Sequence, residues 1–136
     1  PELYKRIVDE GHQVGNHTYH HLGAFKHLTK TYVDDTEKAN ELIHARYFRP
    51  PHGCMNFTGY WWLSRKYRIV MWDLVTRDYS KWLTADDVFE NVKRFARNGS
   101  IITFHDSLKS IDKLHQALPQ SLQWLKDHGY EFKIFP

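Results

Sequence analysis

The sequence predicts an α/β fold of parallel strands flanked by helices. Three observations carry that prediction: helical and extended patterns alternate along the chain, the extended segments are short and mostly apolar, and no linker or internal repeat interrupts them. Residues 2–10 set Leu3, Ile7 and Val8 at helical spacing, and Gly11 ends that helix. Residues 12–16 read as a short strand. Residues 31–45 form a long polar helix with Val33, Ala39, Leu42 and Ile43 on its inner side. Residues 47–49 are a strand stopped by Pro50-Pro51. Residues 57–66 read as helix, and 68–72, continuous and β-branched, as a buried strand. Thr84 is an N-cap, with Asp86 and Asp87 in the first turn of a helix running to about residue 97. Asn98-Gly99 ends it, and residues 100–104 form a second buried strand. A last helix over 112–128 is expected to bend or restart at Pro119, with Gly129 ending it and a final strand over 130–135. A helix–strand unit therefore repeats five times, which leaves a barrel and a doubly wound sheet both open. A helix that opens an α/β domain usually follows a strand, so the order suggests that residues 1–136 are one partial domain.

Composition narrows the functional classes. Hydrophobic residues make up 41% of the 136, enough for a core in a single domain or part of one. No apolar run approaches the roughly 20 residues that a transmembrane helix needs, and the amphipathic start at Pro1 is not a signal peptide. Net charge is +3, but Lys and Arg are scattered and interrupted by acids, as in Asp34-Asp35 and Glu37. No basic run is present to follow a phosphate backbone, which argues against nucleic acid as a partner. The lone Cys54 excludes an internal disulfide, and nothing around it supplies a base and an orienting group for a nucleophile. Ten histidines and an aromatic content of 15% suit metal binding and sugar stacking without specifying either.

The residues able to carry chemistry sit where strands end, the usual place for ligands in α/β folds. His17 and His21 are four apart; one helical turn would aim both imidazoles at one ion, though a solvated polar turn has the same spacing. His20 is expected to face elsewhere. Arg49-Pro50-Pro51-His52-Gly53 is a stiff turn able to fix an Arg side chain and a backbone N–H, or simply to end a strand. Asp73 and Asp78 follow a predicted strand, where either can orient a histidine or be solvated. His105, at the end of an apolar strand, is a candidate acid or base, with a satisfied core histidine as the alternative.

In this order and spacing the four segments resemble the NodB-homology domain of polysaccharide deacetylases, carbohydrate esterase family four. His17-Thr18-Tyr19-His20-His21 is similar to the family's H-[ST]-x-x-[HD], and Arg49–Gly53 to R-P-P-[FYW]-G with His52 in place of the aromatic. Asp78-Tyr79 is similar to its D-W pair, and Phe104-His105-Asp106 lies close to its Leu-x-His or Leu-His strand end. The resemblance extends over nearly the whole chain. It implies a distorted (β/α) barrel of parallel strands, here lacking its first strands. It implies a divalent metal on His17 and His21, most often Zn, with Co, Ni or Mn as alternatives. Arg49 would hold a carboxylate base, His105 would be the general acid oriented by Asp78, and the His52 backbone N–H would be an oxyanion donor. Pro51 and Tyr79 would line the substrate floor and wall. The implied activity is hydrolysis of N-acetyl groups on an acetylated glycan such as chitin-type oligomers or peptidoglycan, at the cell envelope or outside the cell.

The family's T-F-D-D motif, which supplies the base and a third metal ligand, is absent from the chain. Asp34-Asp35 lies on a polar helix and does not replace it. The expectation is therefore a fragment of a deacetylase, inactive on its own. Two rival readings remain. One is a non-catalytic glycan-binding remnant using Trp61, Trp62, Trp72, Trp82 and Tyr79, against which a core role for the tryptophans is the simpler expectation. The other is a related amidase for a small-molecule amide, against which the retained His17 and His21 speak.

Overall fold

The computed structural model describes residues 2–136; Pro1, where the sequence reading begins, lies outside the described residues. The elements are α1 (Glu2–Asp9), α2 (Thr29–Ile43), β1 (Tyr47–Phe48), a 3-10 turn (Pro51–Gly53), α3 (Phe57–Leu63), β2 (Arg68–Ile69), β3 (Leu74–Val75), α4 (Ala85–Phe95), β4 (Ile102–Thr103) and α5 (Ile111–Asp127). They group into two compact units. The first runs to Met71 and takes in Ile134–Pro136; the second is Trp72–Lys133.

In the first unit β1 and β2 pair in parallel, Tyr47 with Arg68 and Phe48 with Ile69. Asn16 extends this pairing: its N–H donates to the Tyr47 carbonyl at 2.8 Å and its carbonyl accepts from Arg49 N–H at 2.9 Å. The core beneath is Ala24, Tyr32, Phe48, Leu63 and Tyr67, with Leu22, Val33, Met55 and Ile69 packed against it. Asn56 caps α3 by accepting from Gly59 N–H at 2.7 Å, while its amide donates to the Ala24 carbonyl at 2.9 Å. A Cβ on Gly59 would sit 2.9 Å from that capping oxygen, so a side chain there would force the Asn56 amide to shift.

In the second unit β3 and β4 pair in parallel, Leu74 with Ile102 and Val75 with Thr103. Thr84 and Asp87 form a capping box at the start of α4, as the sequence suggested in part. Val88 and Val92 of α4 and Ala117 and Leu125 of α5 are buried where the two helices pack. Asp73 ties the loop before β3 to the start of the β4 segment, accepting from Ile101 N–H at 2.7 Å and from the Ser100 hydroxyl at 3.1 Å.

Parallel α/β pairing is as expected, but the strands are shorter and wetter. Residues 12–16 contribute one bridge rather than a strand. The strand expected over 68–72 pairs only at Arg68 and Ile69, and neither is buried. Beyond it the Arg49 side chain, not another strand, takes the Val70 and Met71 carbonyls, each at 3.2 Å. The strand over 100–104 reduces to half-buried Ile102 and Thr103, while β3 forms where a loop was expected. Residues 130–135 form no strand; the Phe135 backbone bonds instead to the Gln13 side chain. Helix α5 continues through Pro119 without restarting, and Pro119 lies on an exposed face. Helix α1 buries none of its residues and leaves Leu3 and Val8 exposed.

Candidate active site

The first unit gathers His17, His21, Arg49, Pro51 and His52 of the residues picked from the sequence. The 17–21 segment is not the helical turn that the spacing suggested. Thr18 and His21 both have left-handed backbones, at φ 63° and 56°, and the turn is closed by side chains. Buried Asn16 donates to the Thr36 carbonyl at 2.9 Å and accepts from Thr18 N–H at 2.9 Å. The Thr18 hydroxyl accepts from Leu22 N–H at 3.1 Å. The result still brings the His17 and His21 rings together, with centroids 4.9 Å apart and planes at 67°.

His17 Nδ1 lies 2.6 Å from the Arg49 carbonyl oxygen. A carbonyl only accepts, so Nδ1 carries the proton and Nε2 keeps its lone pair, the tautomer that a metal needs. The His17 pKa is held below its ordinary value. Desolvation is the main cause, His21, Arg49 and His52 add positive neighbours, and the bond to the Arg49 carbonyl opposes them. Desolvation thus favours the neutral form of the ring. His52 sits at φ 59° inside the 3-10 turn, and its ring lies 4.8 Å from that of His21. Pro51 is buried beneath it. Burial lowers the pKa of Arg49, whose guanidinium is held by the Val70 and Met71 carbonyls.

The second unit gathers Asp78, Tyr79 and His105. Asp78 is fully buried and accepts twice from one residue: from His105 N–H at 2.6 Å and from His105 Nδ1 at 2.7 Å. That fixes the ring and leaves Nε2 outside these two bonds. The Tyr79 ring stands edge-on to the imidazole at 4.9 Å. The segment that carries Asp78 is anchored through Thr76, whose hydroxyl donates to the Thr103 carbonyl at 2.9 Å and whose carbonyl accepts from the Asn91 side chain at 3.1 Å.

Two imidazoles suit a divalent ion of the zinc type, but a catalytic site of that kind uses three protein ligands. Among the described residues no group of three or more His, Cys, Asp or Glu is arranged to hold a metal. The donor set therefore fits the metal in part. The residues missed from the sequence are those that hold the turn: Asn16, Thr18 and, above all, Asp35. Asn16 adjoins the motif and was open to discovery. Asp35 carries no local signal, because its role depends on where α2 packs. Asp34 behaves as a solvated helix acid paired with Lys30, at 2.5 Å, whereas Asp35 is 7% exposed. The tryptophans also depart from expectation: Trp61, Trp62 and Trp82 are exposed rather than in the core.

The family model for polysaccharide deacetylase matches residues 1–69, half of the chain. A peptidoglycan-N-acetylglucosamine deacetylase of Bacillus cereus is 31% identical, aligned over all of this chain and 52% of its own length. Among solved structures, a family 4 carbohydrate esterase from Streptomyces lividans superposes with a TM-score of 0.82 at 26% identity, covering 95% of this chain and 68% of that one. A family 4 pseudoenzyme from Bacillus anthracis superposes with a TM-score of 0.82 at 26% identity, covering 96% and 47%. The chain belongs to the polysaccharide deacetylase family. Its fold class is that of the family 4 esterases, with each unit a piece of the parallel α/β structure from which a (β/α) barrel is made. The chain spans about half the length of the Bacillus cereus relative.

Proposed function

We propose that the protein is a metal-dependent carbohydrate deacetylase that hydrolyses N-acetyl groups on a glycan of the cell envelope, with peptidoglycan favoured over chitin-type oligomers. The observation that carries this reading is the Asp78–His105 pair, a buried carboxylate that fixes an imidazole with Nε2 outward. An amine is a poor leaving group until protonated, and His105 is set up to deliver that proton. His17 and His21 are the metal ligands of this reading, supported by the proton on His17 Nδ1. A bound divalent ion would polarise the amide carbonyl and lower the pKa of a water. The His52 backbone N–H supplies an oxyanion donor, Arg49 orients a carboxylate base, and Pro51 and Tyr79 border the sugar. The peptidoglycan preference follows from the named activity of the Bacillus cereus relative, and the envelope location follows from that substrate.

The test is acetate release from peptidoglycan and from N-acetylglucosamine oligomers by the full-length protein, with Zn, Co, Ni or Mn added. Metal-stimulated release that falls in His105→Ala is the expected result. No release from either glycan with any of these metals would overturn the reading. The 136-residue chain by itself, with two imidazoles and no third donor among its described residues, is expected to bind zinc weakly and release no acetate.

A second reading, a glycan binder without catalysis, is favoured by the same incomplete donor set and by exposed Trp61, Trp62, Trp82 and Tyr79. It predicts retention on peptidoglycan, lost in Trp61→Ala or Trp62→Ala, with no acetate released by the full-length protein.

A further inference from the structure

We propose that Asp35, from inside α2, is a positioning residue for the histidine pair, its buried carboxylate holding the 17–21 turn in the shape that brings His17 and His21 together. This rests on reading the two histidines as metal ligands. The geometry is that of a clamp. Asp35 Oδ2 accepts from Tyr19 N–H at 3.0 Å and from His20 N–H at 2.9 Å, and Oδ1 meets His20 Nδ1 at 2.5 Å. The Asp35 backbone carbonyl accepts from Tyr19 N–H as well, at 3.2 Å. The two amides held are those between the left-handed Thr18 and the left-handed His21.

Left-handed backbone is unfavourable for residues with a Cβ and persists only where the surroundings impose it. Here the Asn16 amide and the Thr18 hydroxyl pin the two ends of the turn, and Asp35 pins its middle. Without the carboxylate, His20 N–H loses its acceptor and Tyr19 N–H keeps only the Asp35 backbone carbonyl, so the turn is free to relax to ordinary backbone. His21 would then swing away from His17. Asp35 is no ligand itself, since its oxygens are committed to the amides and to the His20 ring. His20 is the exposed arm of the clamp, with its side chain 56% exposed against 6% for Asp35.

The test compares the parent protein with Asp35→Ala and with His20→Ala by zinc titration calorimetry and by amide hydrogen exchange of the metal-free protein. Alanine leaves no side-chain acceptor, whereas asparagine would keep an oxygen able to take both N–H groups. Asp35→Ala is expected to weaken zinc binding by about tenfold or more, the range found when partners of ligating groups are removed. Exchange at His20, and less so at Tyr19, should speed up, while exchange in α4 and α5 is unchanged. His20→Ala, which removes one of the three carboxylate bonds and leaves the buried acid in place, should show a smaller shift in the same direction. A folded Asp35→Ala with unchanged zinc affinity and unchanged exchange overturns the proposal. Should Asp35→Ala not fold, His20→Ala decides: unchanged affinity and exchange in that variant overturn it. A parent that binds no zinc would sink the metal reading instead, and the exchange data on the metal-free protein would still judge the clamp.

Discussion

Two aspartate–histidine pairs in this molecule are built alike and are proposed to do different work. In both, the carboxylate takes the histidine's own backbone N–H on one oxygen and its Nδ1 on the other. Asp78 sits in the segment after β3 and is completely buried, and His105 ends the extended segment that contains β4. Asp35 sits within α2 and reaches sideways to a turn. His105 is held so that its own Nε2 is the business end. His20 is held so that its neighbour, His21, is in place. A carboxylate–imidazole pair therefore does not declare a catalytic dyad by its geometry: these bonds leave Nε2 in both, and the different work proposed for His105 rests on the family motifs in which it and Asp78 stand.

The largest effects should separate the pairs by activity. In the full-length protein His105→Ala is expected to lower kcat by about 10²–10⁴-fold, the usual contribution of a general acid. His20→Ala should leave kcat at saturating zinc essentially unchanged and raise only the zinc concentration required. Equal losses of kcat in the two variants would erase the proposed difference.

Next comes the ground on which the first pair stands. Asn16, which introduces the turn, is bridged to Phe48, and Phe48 is wholly buried in the core of that unit. Phe48→Ala should cost about 3–5 kcal/mol, as expected for emptying an aromatic site in a core. Urea unfolding of the chain would measure it. A loss under about 1 kcal/mol would mean that the turn does not depend on that core.

Acid should act on the first pair in two windows. Burial alone would raise the Asp35 pKa, but the bonds from His20 and Tyr19 outweigh it and hold the carboxyl below the usual carboxylate range. A group depressed on folding contributes fully above its unfolded value and loses that contribution as pH falls through its folded value, so the Asp35 share disappears below about pH 4. His17 is also depressed, mainly by desolvation. Between its folded value and about 6.5 the unfolded chain binds more protons, so stability declines as pH falls through that higher window. The protection of the Tyr19 and His20 amides, taken relative to the intrinsic exchange rate at each pH, should fall in both windows between pH 7 and 3.

The smallest effect lies at the capping box of the second unit. Thr84→Ala removes an acceptor from Asp87 N–H and a donor to the Asp87 carboxylate and should cost about 1 kcal/mol. The midpoint of a urea transition would read it, without change in zinc affinity.

Much of the second pair was legible in the sequence, and little of the first. His105 and Asp78 each sit in a recognisable segment after an apolar run, and the motif order joins them. Thr84 announced its helix because capping is local chemistry. His17 and His21 were legible as a pair, but for the wrong reason: their rings meet through a turn with two left-handed residues, not through helical spacing. Asp35 stands beside Asp34 with the same local context. Only the packing of α2 against the turn distinguishes them, and a linear pattern does not carry that. Strand lengths were overread for a related reason: apolar runs mark where strands can form, while pairing depends on a neighbour, and Arg49 supplies side-chain hydrogen bonds where residues 70–71 would otherwise need a partner strand.

The most direct measurement is acetate release from peptidoglycan and from N-acetylglucosamine oligomers by the full-length protein, its His17→Ala variant and its His105→Ala variant across a range of zinc concentrations. A metal site on His17 and His21 with His105 as the acid predicts release by the parent that saturates with zinc, a zinc requirement shifted upward in His17→Ala, and a rate lowered at every zinc concentration in His105→Ala. Release by both variants indistinguishable from the parent, or no release by the parent from either glycan at any zinc concentration, would contradict it.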